Sequence, residues 1–405
     1  MKRRVVITGL GVVSACGLGL DALRCGLRSG RTAIRPVEAL PHEKLLVKIA
    51  GEAAGYDPLA HFEPKRLQLL DRFSQFAVVA AREAVERAGL SLAEPGLAER
   101  TAVVLGTGVG GKTTDDEAFR RLYGEGIPRV NPLTIPRLMA SAATSQVTMD
   151  LGVTGPAFTT TSACASSSHA IGQAYWMVQH GQVEAALTGG SEACITLGTW
   201  KAWEAMRVMA PDACRPFSKE RRGMVLGEGA AIAVLEPLER AQARGAKIWA
   251  EIVGFGMAAD AGHIVEPSWV GAARALRCAV ADSELAPEQI GYINTHGTGT
   301  ASNDAAECRA IREVFGPLAD RLAVSSTKSL HGHALGASGA IELAASALAL
   351  REGFLPPTLN YLGADPACDL DCIPNEARSV QVEAALSSSF AFGGLNAVLA
   401  LRSVG

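Results

Sequence analysis

The segment TTTSACASSSHAIGQA, Thr159 to Ala174, reads as a small-residue strand running into a helix, with Cys164 at the junction. A sulfur at that point faces the unpaired N–H groups at the positive end of the helix. Such a position lowers a thiol's pKa and makes it a nucleophile. A single cysteine is more often a core residue; here its company argues for chemistry. INTHGTGTASND carries His296, and SSTKSLHGHALGASGAIE carries Lys328 and His333, with His331 read as a structural hydrogen-bonder. Both segments end a strand in a glycine-flanked polar residue. A cysteine and two histidines at strand ends can meet in one pocket at the carboxyl edges of two sheets. In SSSFAFGGLNAV, Ser387 to Val398, the Gly393-Gly394 turn lets backbone N–H groups approach a ligand closely.

Positioning these residues requires a regular scaffold. VVITG at the start, AVVLG at 102–106, AALTGG, AAIAVLE, AEIVGFG and IGYIN read as buried strands, and helical patterns lie between many of them. Arg66 to Ala88 has helical spacing and stops at Gly89. This alternation predicts an α/β protein with parallel sheets covered on both faces. The second half repeats the order of the first: VVLGTGVG at 103–110 and YINTHGTGT at 292–300 both run from a strand into Gly-Thr-Gly. A long irregular stretch from Gly106 to Gly155, with the Pro-rich IPRVNPLTIP, reads as an insertion or an interface.

Composition excludes several function classes. Of 405 residues, 48% are hydrophobic, 20% charged and 5% aromatic, which suits a large packed core. A net charge of −3, without a long Lys/Arg run, leaves no footprint for nucleic acid. The nine cysteines have no paired spacing and read as reduced thiols of a cytoplasmic protein; Cys368 and Cys372 form one CxxxC without a second pair, so no metal is expected. MKRRVVITGLGVVSAC imitates a leader peptide, but Val5, Val6, Ile7 and Thr8 are β-branched and Gly9-x-Gly11 interrupts the run, as in a first buried strand. No segment approaches the ~18 apolar residues of a membrane span.

One motif points elsewhere. GTGVGGKT, Gly106 to Thr113, satisfies the phosphate-binding pattern G-x-x-x-x-G-K-[ST] after a strand. Its surroundings do not follow. Asp115, Asp116 and Glu117 come next and would crowd a triphosphate, and no apolar strand ends in an Asp suited to Mg²⁺. The same residues fit G-x-G-x-x-G, again without the acidic partner about 20 residues later. The stretch reads as a structural turn, with Lys112 solvated.

Taken in order, VVITGLGVVSA, TSACASSSHAIG, HGTGT, SSTKSLHGH and FAFGGLN resemble a β-ketoacyl-acyl carrier protein synthase of the elongating type, in the thiolase superfamily, over essentially the whole chain. The resemblance implies a thiolase-like duplicated five-layer αβαβα fold, with halves at 1–240 and 241–405. It also implies a homodimer, or a heterodimer with a related ketosynthase-like subunit, through a segment around 106–160. Cys164 is then expected to take an acyl chain from the phosphopantetheine of acyl carrier protein, with no bound cofactor. His296 and His333 are expected to assist malonyl decarboxylation and stabilise the enolate. The N–H groups of Cys164 and Phe392 are expected to form the oxyanion hole, with Phe392 also a gate. Lys328 is expected to pair with Glu342 and organise the site, with Asp304 and Glu307 as supporting acids.

Departures bear on substrate and partner. The family commonly has Thr at Leu395 and Gly at Asn303, which points toward specialised polyketide or polyene chains as an alternative to fatty-acid elongation. Gln68 and Leu69 stand where basic residues are expected for carrier docking; Lys65, Arg66, Arg129 and Arg207, with Arg215 and Lys219, are the remaining candidates for a positive patch. Two other classes are weighed. A silent chain-length-shaping partner is expected to lack the nucleophile, and a CoA-dependent thiolase to carry a second cysteine where Phe392 stands.

Overall fold

The computed structural model describes residues 2–53 and 55–404. Its first strand, β1 (Val5–Ser14), is buried along its whole length, as a β-branched run covered on both faces must be. The leader-like N-terminal stretch is thus a core strand. Gly9 and Gly11 are required there: a β-carbon on either would come within 2.0 Å of the carbonyl oxygens of Ala84 and Ala80. Those carbonyls belong to helix α1 (Arg72–Ala88), which lies directly on the strand. The helix begins later than its periodicity suggests because Asp71 caps it through the Phe73 N–H at 3.1 Å, leaving Pro64–Leu67 as a separate short turn.

Each half supplies five principal strands. The first half adds β2 (Thr101–Gly106), β3 (Ala157–Thr160), β4 (Ala185–Glu192) and β5 (Gly229–Pro237). The second has β6 (Ala250–Ala259), β7 (Ile290–Asn294), β8 (Ala323–Ser325), β9 (Ala384–Ala391) and β10 (Leu395–Arg402). The spatial order is β3-β2-β4-β5-β1 continuing into β6-β10-β9-β7-β8, so every strand of one half has its counterpart five strands later. The halves join where β1 pairs with β6, Val5 opposite Ile252 and Ile7 opposite Ala250.

The sheets are mixed, which corrects the expectation of parallel ones. The strands β2, β3 and β4 are mutually parallel, as are β7, β8 and β9, but β5 and β10 run antiparallel to both their neighbours. For β10 the reason is local: Phe392, Gly393 and Gly394 join β9 to β10 directly, and a connection that short allows only a hairpin.

Three apolar cores separate five layers. One lies between β1, β2, β4, β5 and the outer helices α1 and α2 (Ala142–Leu151), with Phe73, Phe76, Val103, Leu105 and Val147. The central core holds α3 (Ser166–Gln179) and α6 (Ser338–Glu352), with Val104, Ile171, Tyr175, Ile341 and Leu399. The third packs α4 (Trp269–Ser283) and α5 (Ala301–Phe315) on the second half through Leu276, Ile293, Ile311 and Leu386. Alternation along β2 sends Val103 and Leu105 outward and Val104 inward. Helix α6 is buried from Ser338 to Leu350, as a helix between two sheets must be. The thiolase-like five-layer arrangement is therefore present. Among the described residues no helix is long and apolar enough to cross a membrane.

The phosphate-loop imitation is explained by its partners. Gly108 and Val109 donate their N–H groups to the Glu192 carboxylate at 2.6 and 3.2 Å, Gly111 donates to the Leu138 carbonyl, and the Thr113 hydroxyl donates to Asp71 at 2.6 Å. The Lys112 ammonium is held by Asp115 at 2.6 Å. The groups that would cradle a phosphate are occupied from within the protein. Accordingly, Lys112→Ala is expected to leave turnover within about twofold of wild type, since a half-buried i,i+3 pair contributes about 1 kcal/mol or less. Equilibrium dialysis against ATP should show no retention; millimolar or tighter binding would refute this account of the loop.

Candidate active site

Strand β3 ends at Thr160, and one 3₁₀ turn, Ala163–Ala165, leads into α3. The turn is tight: Ala163 has φ 48°, and Ser166 Oγ accepts the Ser162 N–H at 2.9 Å. It leaves Cys164 7% exposed, facing a cavity of about 120 Å³. Burial pushes the Cys164 thiol up to about 12; Lys328 is the largest opposing influence. The expected depression of the thiol by the helix end is therefore outweighed, because removing a thiolate from water costs more than the partial charge of one helix end returns. The resting sulfur is a thiol, and a role as nucleophile would require a neighbour to take its proton.

Two neighbours are in place. His296 follows β7, where Glu307 fixes the turn by accepting the N–H groups of His296 and Gly297 at 2.8 and 2.7 Å. His333 is tied through its backbone N–H to the Val225 carbonyl at 2.7 Å, and its Nδ1 lies 2.8 Å from Ser338 Oγ. The two rings stand nearly perpendicular, with centroids 5.4 Å apart. One donor atom each of Cys164, His296 and His333 lies within 4.8 Å of the other two. Burial, reinforced by Lys328, holds both histidines well below their ordinary pKa and hence neutral. His331 stays out of the cavity, its ring nitrogens engaged by the Gly332 carbonyl and Thr327 Oγ1 at 2.8 and 3.1 Å.

Lys328 is fully buried against Glu342 and donates a second hydrogen bond to the His296 carbonyl at 2.6 Å. Its ammonium makes no hydrogen bond to the Cys164 sulfur or to either imidazole. Burial raises Glu342 to about 7, with Lys328 opposing. Asp304 accepts the N–H groups of Phe217 and Gly299 at 2.9 and 3.2 Å, shaping the mouth of the HGTGT turn. Cys-His-His is also zinc-ligating chemistry, and no other group of three such donors occurs among the described residues. The Lys328 charge beside His296 opposes a dication there.

Phe392 lines the cavity from the β9–β10 hairpin, with Gly393 and Gly394 at φ 79° and 70°. Its ring stacks on Trp203, centroids 5.8 Å apart, and Trp203 belongs to the same cavity wall. Asn303 lines the wall as well, donating to Asp304 at 3.2 Å, whereas Leu395 is 38% exposed and is not part of it. Sequence reasoning missed Trp203, which carries no motif. It also missed Glu192, whose signal was a carboxylate closing a strand with no exposed residue.

The candidate docking cations do not form one patch at the cavity. Arg207 is exposed beside Val208, which lines the mouth. Lys65 and Arg66 sit on the Pro64–Leu67 turn, and Arg129 and Lys219 are exposed elsewhere; none lines the cavity. Arg215 is no surface cation: its side chain is only 16% exposed and pairs with Asp212 at 2.9 Å.

Residues 2–241 match the family described as beta-ketoacyl synthase, N-terminal domain, and residues 249–362 its C-terminal domain. The chain belongs to the β-ketoacyl synthase family. It is 48% identical over 406 residues to nodulation protein E of a Rhizobium species, covering 100% of both chains. It is 42% identical over 408 residues to 3-oxoacyl-[acyl-carrier-protein] synthase 2 of Staphylococcus aureus, covering 99% of this chain and 98% of that one. Among solved structures, the ishigamide ketosynthase/chain length factor superposes with a TM-score of 0.95 at 36% identity, over 100% of both chains.

Proposed function

We propose that this ketosynthase performs a decarboxylative Claisen condensation, with the acyl chain on Cys164 and malonyl-acyl carrier protein as the second substrate. The observation that carries the assignment is the convergence of one thiol and two neutral histidines within 4.8 Å at a buried cavity. In the first half-reaction the Cys164 thiol attacks the phosphopantetheine thioester. Its proton passes to a neighbouring histidine and on to the departing thiol. In the second, loss of CO₂ from the malonyl group leaves an enolate whose oxygen the histidine N–H groups stabilise. The enolate carbon attacks the acyl-Cys164 carbonyl, the N–H groups of Cys164 and Phe392 hold the oxyanion, and collapse releases the β-ketoacyl carrier and the Cys164 thiolate, which regains a proton. Decarboxylation itself generates the carbanion, so a fixed base is unnecessary.

Neutral histidines give a pH test. Their folded pKa values lie well below 6.5, so they carry no proton to lose as pH rises through that value. CO₂ release from malonyl-acyl carrier protein should vary by less than about twofold between about pH 6 and 8. A limb with its midpoint near pH 6.5 would place a titrating histidine in the step.

Partners are inferred from surfaces. Strand β3 has a single neighbour in the sheet, and Phe158 on it is 40% exposed. Nearby in the chain, Tyr123, Ile135 and Met149 are 78%, 67% and 64% exposed, an apolar surface within 106–160 that suits a homodimer or a heterodimer with a related subunit. The nucleophile argues against the silent-partner role. Arg207, exposed and next in the chain to the cavity-lining Val208, is the cation best placed to receive an acidic carrier. Intact-mass analysis with a panel of acyl carriers tests the reading: acyl mass should appear on the protein, and Arg207→Glu should raise KM for the carrier at least about tenfold with kcat nearly unchanged. Failure of every carrier to acylate the wild type, with or without a related subunit, would remove the condensing assignment.

A further inference from the structure

The turn that imitates a phosphate loop does hold an anion, and that anion is a side chain. Glu192, the last residue of β4, is fully buried. Its Oε1 accepts the Thr107 hydroxyl at 2.8 Å and the Val109 N–H at 3.2 Å; its Oε2 accepts the N–H groups of Gly108 at 2.6 Å and Gly336 at 2.9 Å. Three of these donors come from the first half of the duplicated fold and one from the second.

The place where they meet is significant. Gly336 lies three residues after His333, in the 3₁₀ turn Leu335–Ala337 that leads into α6. Leu335 takes φ 42° there and packs in the apolar cluster that includes Cys164. On the other side, a β-carbon on Gly108 would lie 3.6 Å from the carbonyl of Ala163, the residue before Cys164. The two backbones touch: a β-carbon on Gly336 would come within 2.2 Å of the Gly108 nitrogen. The 107–109 loop is thus wedged between the turn that presents the nucleophile and the turn that presents His333. Burial pushes the Glu192 carboxyl up to about 7, and the four converging donors oppose that rise, since a carboxylate, with two oxygens and no proton, is the form that accepts from all four.

We infer that Glu192 is a positioning residue, an internal anion that binds the 107–109 loop to the Gly336 turn and so sets His333 against Cys164. It touches no reacting atom. The inference takes its reaction from the function proposed above, but its geometry can be read without that reaction, through the reactivity of the Cys164 thiol.

The test compares Glu192→Ala with Glu192→Gln. In Glu192→Ala the donors lose their acceptor: kcat should fall at least about tenfold while KM for both carrier substrates stays within about threefold, because the carriers bind at the cavity mouth. Formate at tens of millimolar should restore kcat saturably, and formamide, which presents the amide that Gln would, should restore it less well. Alkylation of Cys164 by iodoacetamide, followed on the fragment that contains it, should slow and recover in parallel. Glu192→Gln should retain most activity, since the Thr107 hydroxyl can turn to accept from the new amide and only the long Val109 bond is lost. Adding Thr107→Val removes that option, and the double variant should lose more than the product of its single losses. Wild-type kcat and alkylation in Glu192→Ala would overturn the inference, as would a loss that formate leaves unchanged in folded protein. If Glu192→Ala does not fold, an additive result in Thr107→Val with Glu192→Gln overturns it. Absence of carrier acylation in wild type, with the alkylation pattern intact, would strike the reaction and leave the positioning role standing.

Discussion

Cys164→Ala should take up no acyl mass from any carrier that acylates the wild type, and condensation should fall by at least about 10⁴-fold. The size of the effect follows from the mechanism: without the sulfur the two half-reactions have no shared intermediate, and the enolate would have to attack a thioester still tethered to a carrier. Total mass alone is not decisive, because Cys25 and Cys278 are exposed and can be modified adventitiously. Peptide mapping should place the wild-type adduct on the fragment containing residue 164. An equal acyl adduct on the Cys164→Ala protein would transfer the nucleophile's role elsewhere.

Lys328→Ala should be the most destabilising single change at the site, by about 3–5 kcal/mol, since it leaves the Glu342 carboxylate buried without its cation. The sign of its pH dependence can be worked out. Glu342 already sits near 7 with Lys328 present, and losing the ammonium raises it further. A carboxyl whose folded pKa is raised contributes stability at low pH that is lost as pH climbs through that value. The deficit relative to wild type should therefore be larger at pH 8 than at pH 6, measured by denaturant unfolding at both. Replacing both partners, Lys328→Met with Glu342→Leu, should recover much of the stability, because an apolar pair of similar volume avoids the cost of burying charge. Activity should not return, since the His296 carbonyl still lacks its donor. If both stability and activity returned, Lys328 would have no organising role.

Much of this was legible in the chain. A small-residue junction of strand and helix marked Cys164, and glycine-flanked polar residues marked His296 and His333, because period-two burial and tight turns are local properties, written within ten residues of each candidate. The pairing of Lys328 with Glu342 was implied by the family resemblance and is present. Other features depend on residues far apart. The antiparallel placement of β5, which follows β4 only after residues 193–228, is a matter of sheet order, which hydrophobic periodicity does not encode. The four donors around Glu192 come from positions 107–109 and 336, and no window of sequence holds them all. The elevated Cys164 thiol reflects how completely other elements cover the helix end, which the helix's own residues do not record. Arg215 shows the same limit from the other side: a basic residue in a polar loop is mostly covered by what packs over it.

The central position of β1 has a consequence for how the protein is made. This strand, residues 5–14, is synthesised long before its long neighbours β5 and β6, which span 229–259; only the two-residue strand Gly17–Leu18, paired with its last residues, is made beside it. Neither sheet can close around it until more than half of the chain has been synthesised. At about 5–20 residues per second, this largely apolar segment waits more than ten seconds for β5 and β6. Such high contact order slows folding and exposes the nascent chain to mispairing. Production of this protein should accordingly be more sensitive to translation speed and chaperone supply than the stability of the finished fold suggests.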